Sequence, residues 1–409
     1  MEGKKLLLVV LDGLGDRPIK DLGSKTPLQL AAKSNLDWLV SNGACGILDP
    51  IAPGVCPGSD TSHLSLLGYD PFQVYTGRGP FEAAGAGIAV KGGDVAFRCN
   101  FATVDRDMRV LDRRAGRIKQ GTVELAKSLD GLDIEGVEVL FRAGTEHRAA
   151  LVLRGPALSA DVSDTDPHEE GSNILECKAI QPGAEKTARI INEFSRIAHD
   201  TLRQHSVNRE REEKGVVPAN AVLIRGGGIF PHLKSIEEKH NMKSAVVAGV
   251  ALIKGICGSV GMEVLEVKGA TGGLDTDMMA KAKAAMDAFV DKDFVLINVK
   301  AADICGHDGR PMDKVKVVER ADQMLGYIRD HMTESLVLAV TSDHSTPCAV
   351  RNHTGDPVPL LIFGEGVRVD DVQTFDEIAC AKGGLGRLRG IDLLPLMLDL
   401  AGRNVKFGA

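Results

Sequence analysis

The chain lacks an excess of positive charge, a long apolar run and paired cysteines. With 49 Lys and Arg against 56 Asp and Glu, its formal net charge is −7. That excludes a nucleic-acid binder held by a basic face. No run approaches the ~18 apolar residues of a membrane span. The first run, Leu6-Leu7-Leu8-Val9-Val10-Leu11, is shorter than the core of a signal peptide and stops at Asp12. The eight cysteines, at 45, 56, 99, 177, 257, 305, 348 and 380, form no CxxC pair and no zinc-finger spacing. They read as single thiols in a reducing compartment, so the expected location is the cytoplasm. A hydrophobic fraction of 44% with 26% charged residues excludes disorder, collagen and coiled coil as the main state.

What is present is length, glycine and a set of apolar runs that end in acids. At ~150 residues per domain, 409 residues make two or three domains. The 46 glycines predict many tight turns and close backbone approaches to ligands. Leu6–Leu11 leads to Asp12-Gly13, Phe294–Val299 to Asp303, and Leu336–Val340 to Asp343-His344. Pro359–Phe363 leads to Gly364. Runs apolar on both faces suit central strands of a parallel sheet covered by helices. Helical segments over Ala280–Val290 and Val315–Met332 alternate with them. The pattern predicts an α/β fold, with ligands beyond the carboxyl ends of the strands.

The middle of the chain differs. Short alternating strands such as Asp94–Val104 and Arg148–Arg154 carry many charges. Glu185–His205 reads as one long helix, and the charge run Arg209–Lys214 as a solvated turn. We expect a discontinuous main domain, 1–82 and 215–409, interrupted by an α+β insertion, 83–214.

Asp303 and His307, spaced i, i+4, share one face of a helix. With Asp12, Asp343, His344 and His353 they make three carboxylates and three imidazoles at one sheet edge. Mixed oxygen and nitrogen donors suit Mn²⁺, Zn²⁺ or a similar ion. Any single pair is commonly structural. Read as structure alone, the whole set would bury several charges without partners. Pro57-Gly58-Ser59-Asp60-Thr61-Ser62-His63 precedes an apolar helical pattern. Hydroxyls at a helix start are often N-caps. A helix N-terminus also stabilises anions, and a hydroxyl beside a metal there becomes a nucleophile. Cys56-Pro57-Gly58-Ser59 lacks the Cys-x-Pro-x-Arg pattern of sulfatases, which excludes a modified cysteine nucleophile.

Asp12-Gly13, Ser59-Asp60-Thr61-Ser62-His63, Asp303-x-x-x-His307, Asp343-His344 and His353 together resemble the alkaline phosphatase superfamily. Within it the chain resembles the archaeal-type cofactor-independent phosphoglycerate mutases. Gly77-Arg78-Gly79-Pro80, Asp94–Asn100 and Gly269-Ala270-Thr271-Gly272 also look like that branch. The resemblance implies an alkaline phosphatase-like, mostly parallel sheet flanked by helices, with an inserted α+β domain. It implies interconversion of 2- and 3-phosphoglycerate through a phosphoserine, without 2,3-bisphosphoglycerate. Ser62 matches the phosphoryl acceptor. Asp12, Ser62, Asp343 and His344 match the ligands of one metal ion, and Asp303, His307 and His353 those of a second. Mn²⁺ is expected first, with Zn²⁺, Co²⁺ or Mg²⁺ as alternatives.

The implied partner is a small phosphoglycerate, with no nucleic acid or membrane; the oligomeric state stays open. In the insertion, Arg142, His147, Arg148, Asp166 and His168 cluster in sequence, and Arg225 precedes Gly226-Gly227-Gly228. Guanidinium groups suit carboxylate or phosphate, so these six are the candidate substrate-binding residues. The rival readings are another metal-dependent phosphatase or phosphotransferase of the superfamily, such as a phosphopentomutase, and a non-catalytic metal binder.

Overall fold

The computed structural model describes residues 3–231, 233–404, 406 and 408. The chain up to Val74 and from Lys234 onward forms one unit, and Tyr75–Leu233 the other. The apolar runs become strands of one eight-stranded sheet in the first unit. Its order is Glu263–Val264, Ser244–Val247, Phe294–Val299, Lys5–Leu11, Leu336–Thr341, Val358–Phe363, Ala44–Asp49 and Gly386–Arg389. Only Val358–Phe363 runs antiparallel to its neighbours. Leu6–Val10 are completely buried, as expected for strands covered on both faces. Helices Met278–Ala288, Pro311–His331 and Ser34–Ser41 close around this core.

Register sets the site. Leu6 stands opposite Phe294 on one side and Val337 on the other. The three parallel strands therefore end at the same edge, and the residues that follow them emerge together.

The second unit is an antiparallel sheet. Its order is Val110–Asp112, Val95–Val104, Arg148–Arg154, Val137–Ala143 and Leu132–Ile134, and Ala221–Ile229 also pairs with Val95–Val104. Helix Glu185–Leu202 packs on it through Phe194, whose ring lies 5.5 Å from that of Phe141. The charge run is no turn but part of helix Ser206–Glu213. Buried Asn208 anchors that helix by donating to Leu202 O and Ala219 O.

The unit boundaries fall at 74/75 and 233/234 rather than near 82 and 215. Helix Gly79–Gly85 buries Ala83 against Ala96, Ala150 and Val152. Strand Ala221–Ile229 is laddered to Val95–Val104. Core burial and backbone pairing thus draw both segments into the inserted unit.

Candidate active site

Asp12 follows the first strand and is fully buried. Gly13 then turns the chain at φ +67°, where a Cβ would meet the Asp303 Cα at 2.5 Å. Only glycine allows this approach. Gly13 N donates to Asp343 Oδ1 at 3.1 Å, so one tight turn ties all three acidic positions together. Asp303 opens on helix Ala301–Asp308, and His307 lies one turn on, its Nε2 3.4 Å from Asp303 Oδ1. His353 Nε2 is also 3.4 Å from Asp303 Oδ1. The rings of His344 and His353 stack at 3.6 Å.

Two groups of donor atoms result. Asp12, Asp343 and His344 form one, and Asp303, His344 and His353 the other, with atoms in each within 4.8 Å of one another. His307 borders the second group. Asp343 Oδ2 is buried without a hydrogen-bond partner. Crowded carboxylates, imidazoles and an orphaned carboxylate oxygen fit divalent cations.

The structure places Ser59, not Ser62, against this set. Ser59 is the first residue of helix Ser59–Leu66, and its Oγ lies 3.1 Å from His344 Nε2 and 3.2 Å from Lys300 Nζ. Ser62 sits one turn further along, fully buried, with its Oγ unpartnered. The reason is helical geometry: only the first turn presents side chains and free N–H groups beyond the helix end.

Lys300, directly after the strand Phe294–Val299, is the charge that sequence reasoning missed. Its Nζ reaches Asp12 Oδ1 at 2.8 Å and Asp303 Oδ2 at 2.9 Å. Burial opposes its charge, but Asp12, Asp303 and Asp343 outweigh this and raise its pKa. Burial, then the Asp343 charge, raises Asp12. Asp303 goes the other way: burial opposes its charge, but the His353 bond and Lys300 hold it far below the usual carboxylate range. Burial keeps His344 well below the ordinary imidazole value.

In the inserted unit, six arginines (Arg98, Arg113, Arg114, Arg117, Arg148 and Arg225) line a cavity of about 210 Å³ with Asn100, Glu146 and His147. Strand register assembles it: Arg98 stands opposite Arg225, and Asn100 opposite Arg148. Buried Asp166 takes a bidentate bond from Arg113 at 3.0 and 2.7 Å and lies 3.3 Å from Arg225. Burial, then Arg148 and Arg114, lowers His147 to about 4, and its Nδ1 is unpartnered. Burial lowers Arg98 to about 10.

Two expected members are elsewhere. Arg142 does not line the cavity and pairs with Asp130. His168 is exposed and bonds Asp164 at 3.2 Å. Arg142 shares the sheet face of Arg98 but stands two strands away, beyond Ala150, where Asp130 takes its charge.

Residues 40–208 match the family model described as 2,3-bisphosphoglycerate-independent phosphoglycerate mutase. A protein of that name from Methanothermobacter thermautotrophicus is 50% identical over 411 residues, covering 99% of this chain and 100% of its own. The chain belongs to the 2,3-bisphosphoglycerate-independent phosphoglycerate mutases. A second relative of that name, from Methanocaldococcus jannaschii, is 48% identical with both chains fully covered. The cofactor-independent phosphoglycerate mutase from Thermoplasma acidophilum has a TM-score of 0.75 at 40% identity, over 98% of this chain and 100% of that one. A protein structure from Pyrococcus horikoshii gives 0.87 at 42% identity over the whole of both chains.

Set against this mutase family, most of the site residues that sequence reasoning missed carried usable signals. Ser59 directly follows Gly58 at the helix start, and Lys300 directly follows an apolar strand. Arg98 and Asn100 stand two apart on a strand, hence on one face. Nothing local pointed to Arg113, Arg114 or Arg117. No described helix is long and apolar enough to cross a membrane.

Proposed function

We propose that this phosphoglycerate mutase, an isomerase, interconverts 2- and 3-phosphoglycerate by passing the phosphoryl group through Ser59. The observation that carries this reading is Ser59 Oγ at a helix N-terminus, within 3.1 Å of His344 and 3.2 Å of Lys300. In the first step a bond forms between Ser59 Oγ and phosphorus as the substrate's ester P–O bond breaks. The proton lost by the Ser59 hydroxyl is balanced by the one gained on the freed glycerate hydroxyl. Attack by the other glycerate hydroxyl reverses the sequence and restores Ser59, so no 2,3-bisphosphoglycerate is consumed.

The Lys300 ammonium lies next to Ser59 Oγ and offsets negative charge gathering there. First-turn N–H groups act in the same sense. Asp12, Asp343 and His344 would hold one divalent ion, and Asp303, His353 and His307, with His344 beside them, a second. We take Mn²⁺ first, with Zn²⁺, Co²⁺ or Mg²⁺ as alternatives. When bound, such ions act as Lewis acids toward phosphoryl oxygens and lower the pKa of the serine hydroxyl.

To the arginine cavity we assign binding of the substrate's carboxylate or phosphate, with Arg148, Arg225 and His147 joined by Arg98, Arg113, Arg114 and Arg117. Asp166 orients Arg113 and Arg225. The eight free thiols support a cytoplasmic location.

The test is conversion of 3- to 2-phosphoglycerate without bisphosphoglycerate. Ser59→Ala should lower turnover by about 10³-fold or more, as for other lost nucleophiles. Ser62→Ala should retain it within a few-fold. The reverse pattern returns the nucleophile to Ser62. Phosphate release without isomerisation would make the chain a phosphatase.

A further inference from the structure

Behind Ser59 runs a buried polar chain that the chemistry above does not use. His63 is fully buried on the same helix as Ser59. Its Nδ1 lies 2.7 Å from the Ser59 carbonyl oxygen. A carbonyl only accepts, so Nδ1 carries the proton. Its Nε2 lies 3.2 Å from Asn298 Nδ2, and the same Nδ2 donates to Asp12 Oδ2 at 3.1 Å. The Asp12 carboxylate oxygen accepts, which fixes the orientation of the Asn298 amide. Both Nδ2 hydrogens are then used, one on Asp12 and one on His63. The backbone of Asn298 is held in turn, since buried Lys281 Nζ donates to its carbonyl at 2.8 Å.

We infer that His63 and Asn298 are positioning residues that lock Ser59 and Asp12 into one frame. This rests on the reading of Ser59 as phosphoryl acceptor. Each bond is directional and each group is buried, and Asn298 Oδ1 already has no partner, so a shift at either end would leave a further polar atom unsatisfied. A hydrocarbon of the same size would fill the space but aim nothing. Outer partners of this kind are commonly worth 10–100-fold in activity or metal affinity.

The experiment compares His63→Ala, His63→Asn, His63→Gln, Asn298→Ala and the double Ala variant, each checked by thermal melting. The readouts are kcat and KM for 3-phosphoglycerate, and Mn²⁺ affinity by calorimetry without substrate. His63→Ala should lower kcat about 10–100-fold, leave KM within about twofold and weaken Mn²⁺ binding about tenfold. His63→Asn restores the donor toward Ser59 and should recover much of kcat. His63→Gln restores the acceptor toward Asn298 and should recover much of the Mn²⁺ affinity.

The double Ala variant should be little worse than the poorer single, because both break one chain. ¹⁵N spectra should show the Nδ1–H tautomer of His63. Wild-type kcat and Mn²⁺ affinity in His63→Ala would overturn the inference. So would additive losses rescued by neither Asn nor Gln, or an Nε2–H tautomer. If His63→Ala does not fold, the Asn and Gln variants decide. Equal losses of kcat in both, with wild-type Mn²⁺ affinity, would reject positioning. Failure of the Ser59 reading is separate: it shows as turnover in Ser59→Ala, while Mn²⁺ affinity still reads the Asp12 half.

Discussion

The main unit gathers three carboxylates around one ammonium, whereas the inserted unit lines one cavity with six arginines, two of them held by a buried carboxylate. Lys300 holds Asp12 and Asp303; Asp166 holds Arg113 and Arg225. In each, a residue of the minority sign joins two residues of the majority sign. The difference lies in what remains unmet. The acidic group has more negative charge than Lys300 offsets and an orphaned carboxylate oxygen, which calls for cations. The basic group has unpartnered nitrogens on His147 and Arg225, which call for an anion. The first arrangement suits cations and the second an anion.

Removing metal should show this contrast most strongly. Chelation should abolish turnover, and added Mn²⁺ should restore it. Each ion at a hundredfold excess over its Kd stabilises the fold by about 2.7 kcal/mol, so melting temperature should fall on chelation. Added phosphate should not restore it. Full activity in the metal-free protein would break the contrast.

Next comes the minority charge of the basic site. Asp166→Asn should raise KM at least about tenfold and destabilise the chain, because the half-buried Arg113 and Arg225 lose their common partner. An unchanged KM would detach the cavity from substrate binding.

His147 gives a smaller effect that depends on pH. Its folded pKa of about 4 lies below the ordinary 6.5, owing to burial and neighbouring arginines. The unfolded chain therefore takes up the proton first. Its contribution to stability is complete above pH 6.5 and is lost as pH falls toward 4. Denaturation at pH 7 and pH 5 should show about 1–2 kcal/mol more loss in wild type than in His147→Gln. Equal losses would place a charged His147 in the cavity.

The smallest effect is expected at Arg142. Its ion pair with Asp130 is half exposed and lies outside the cavity, so Arg142→Ala should leave KM within about twofold. A tenfold rise would redraw the cavity wall.

Legibility differed between the two regions for a physical reason. Asp12, Asp303 and Asp343 each follow an apolar strand, and aligned parallel strands end together, so local sequence announced their meeting. The arginines sit on separate strands and turns joined by long loops. Only antiparallel register brings Arg98 opposite Arg225, more than a hundred positions away in the chain. Ser59 and Ser62 share one helix and one residue type, and composition could not separate them. The helix end could, because its first turn meets His344 and Lys300.

The apolar runs by themselves marked four of the eight strands of the central sheet, because strands buried on both faces admit few polar interruptions, but not that Val358–Phe363 runs antiparallel. The residues after those runs determined which carboxylates and imidazoles meet at the sheet edge. Tertiary structure alone decided which serine meets it, where the inserted unit begins and ends, and which arginines share a cavity. Those outcomes depend on register, helix phase and core packing, which arise only when distant segments meet.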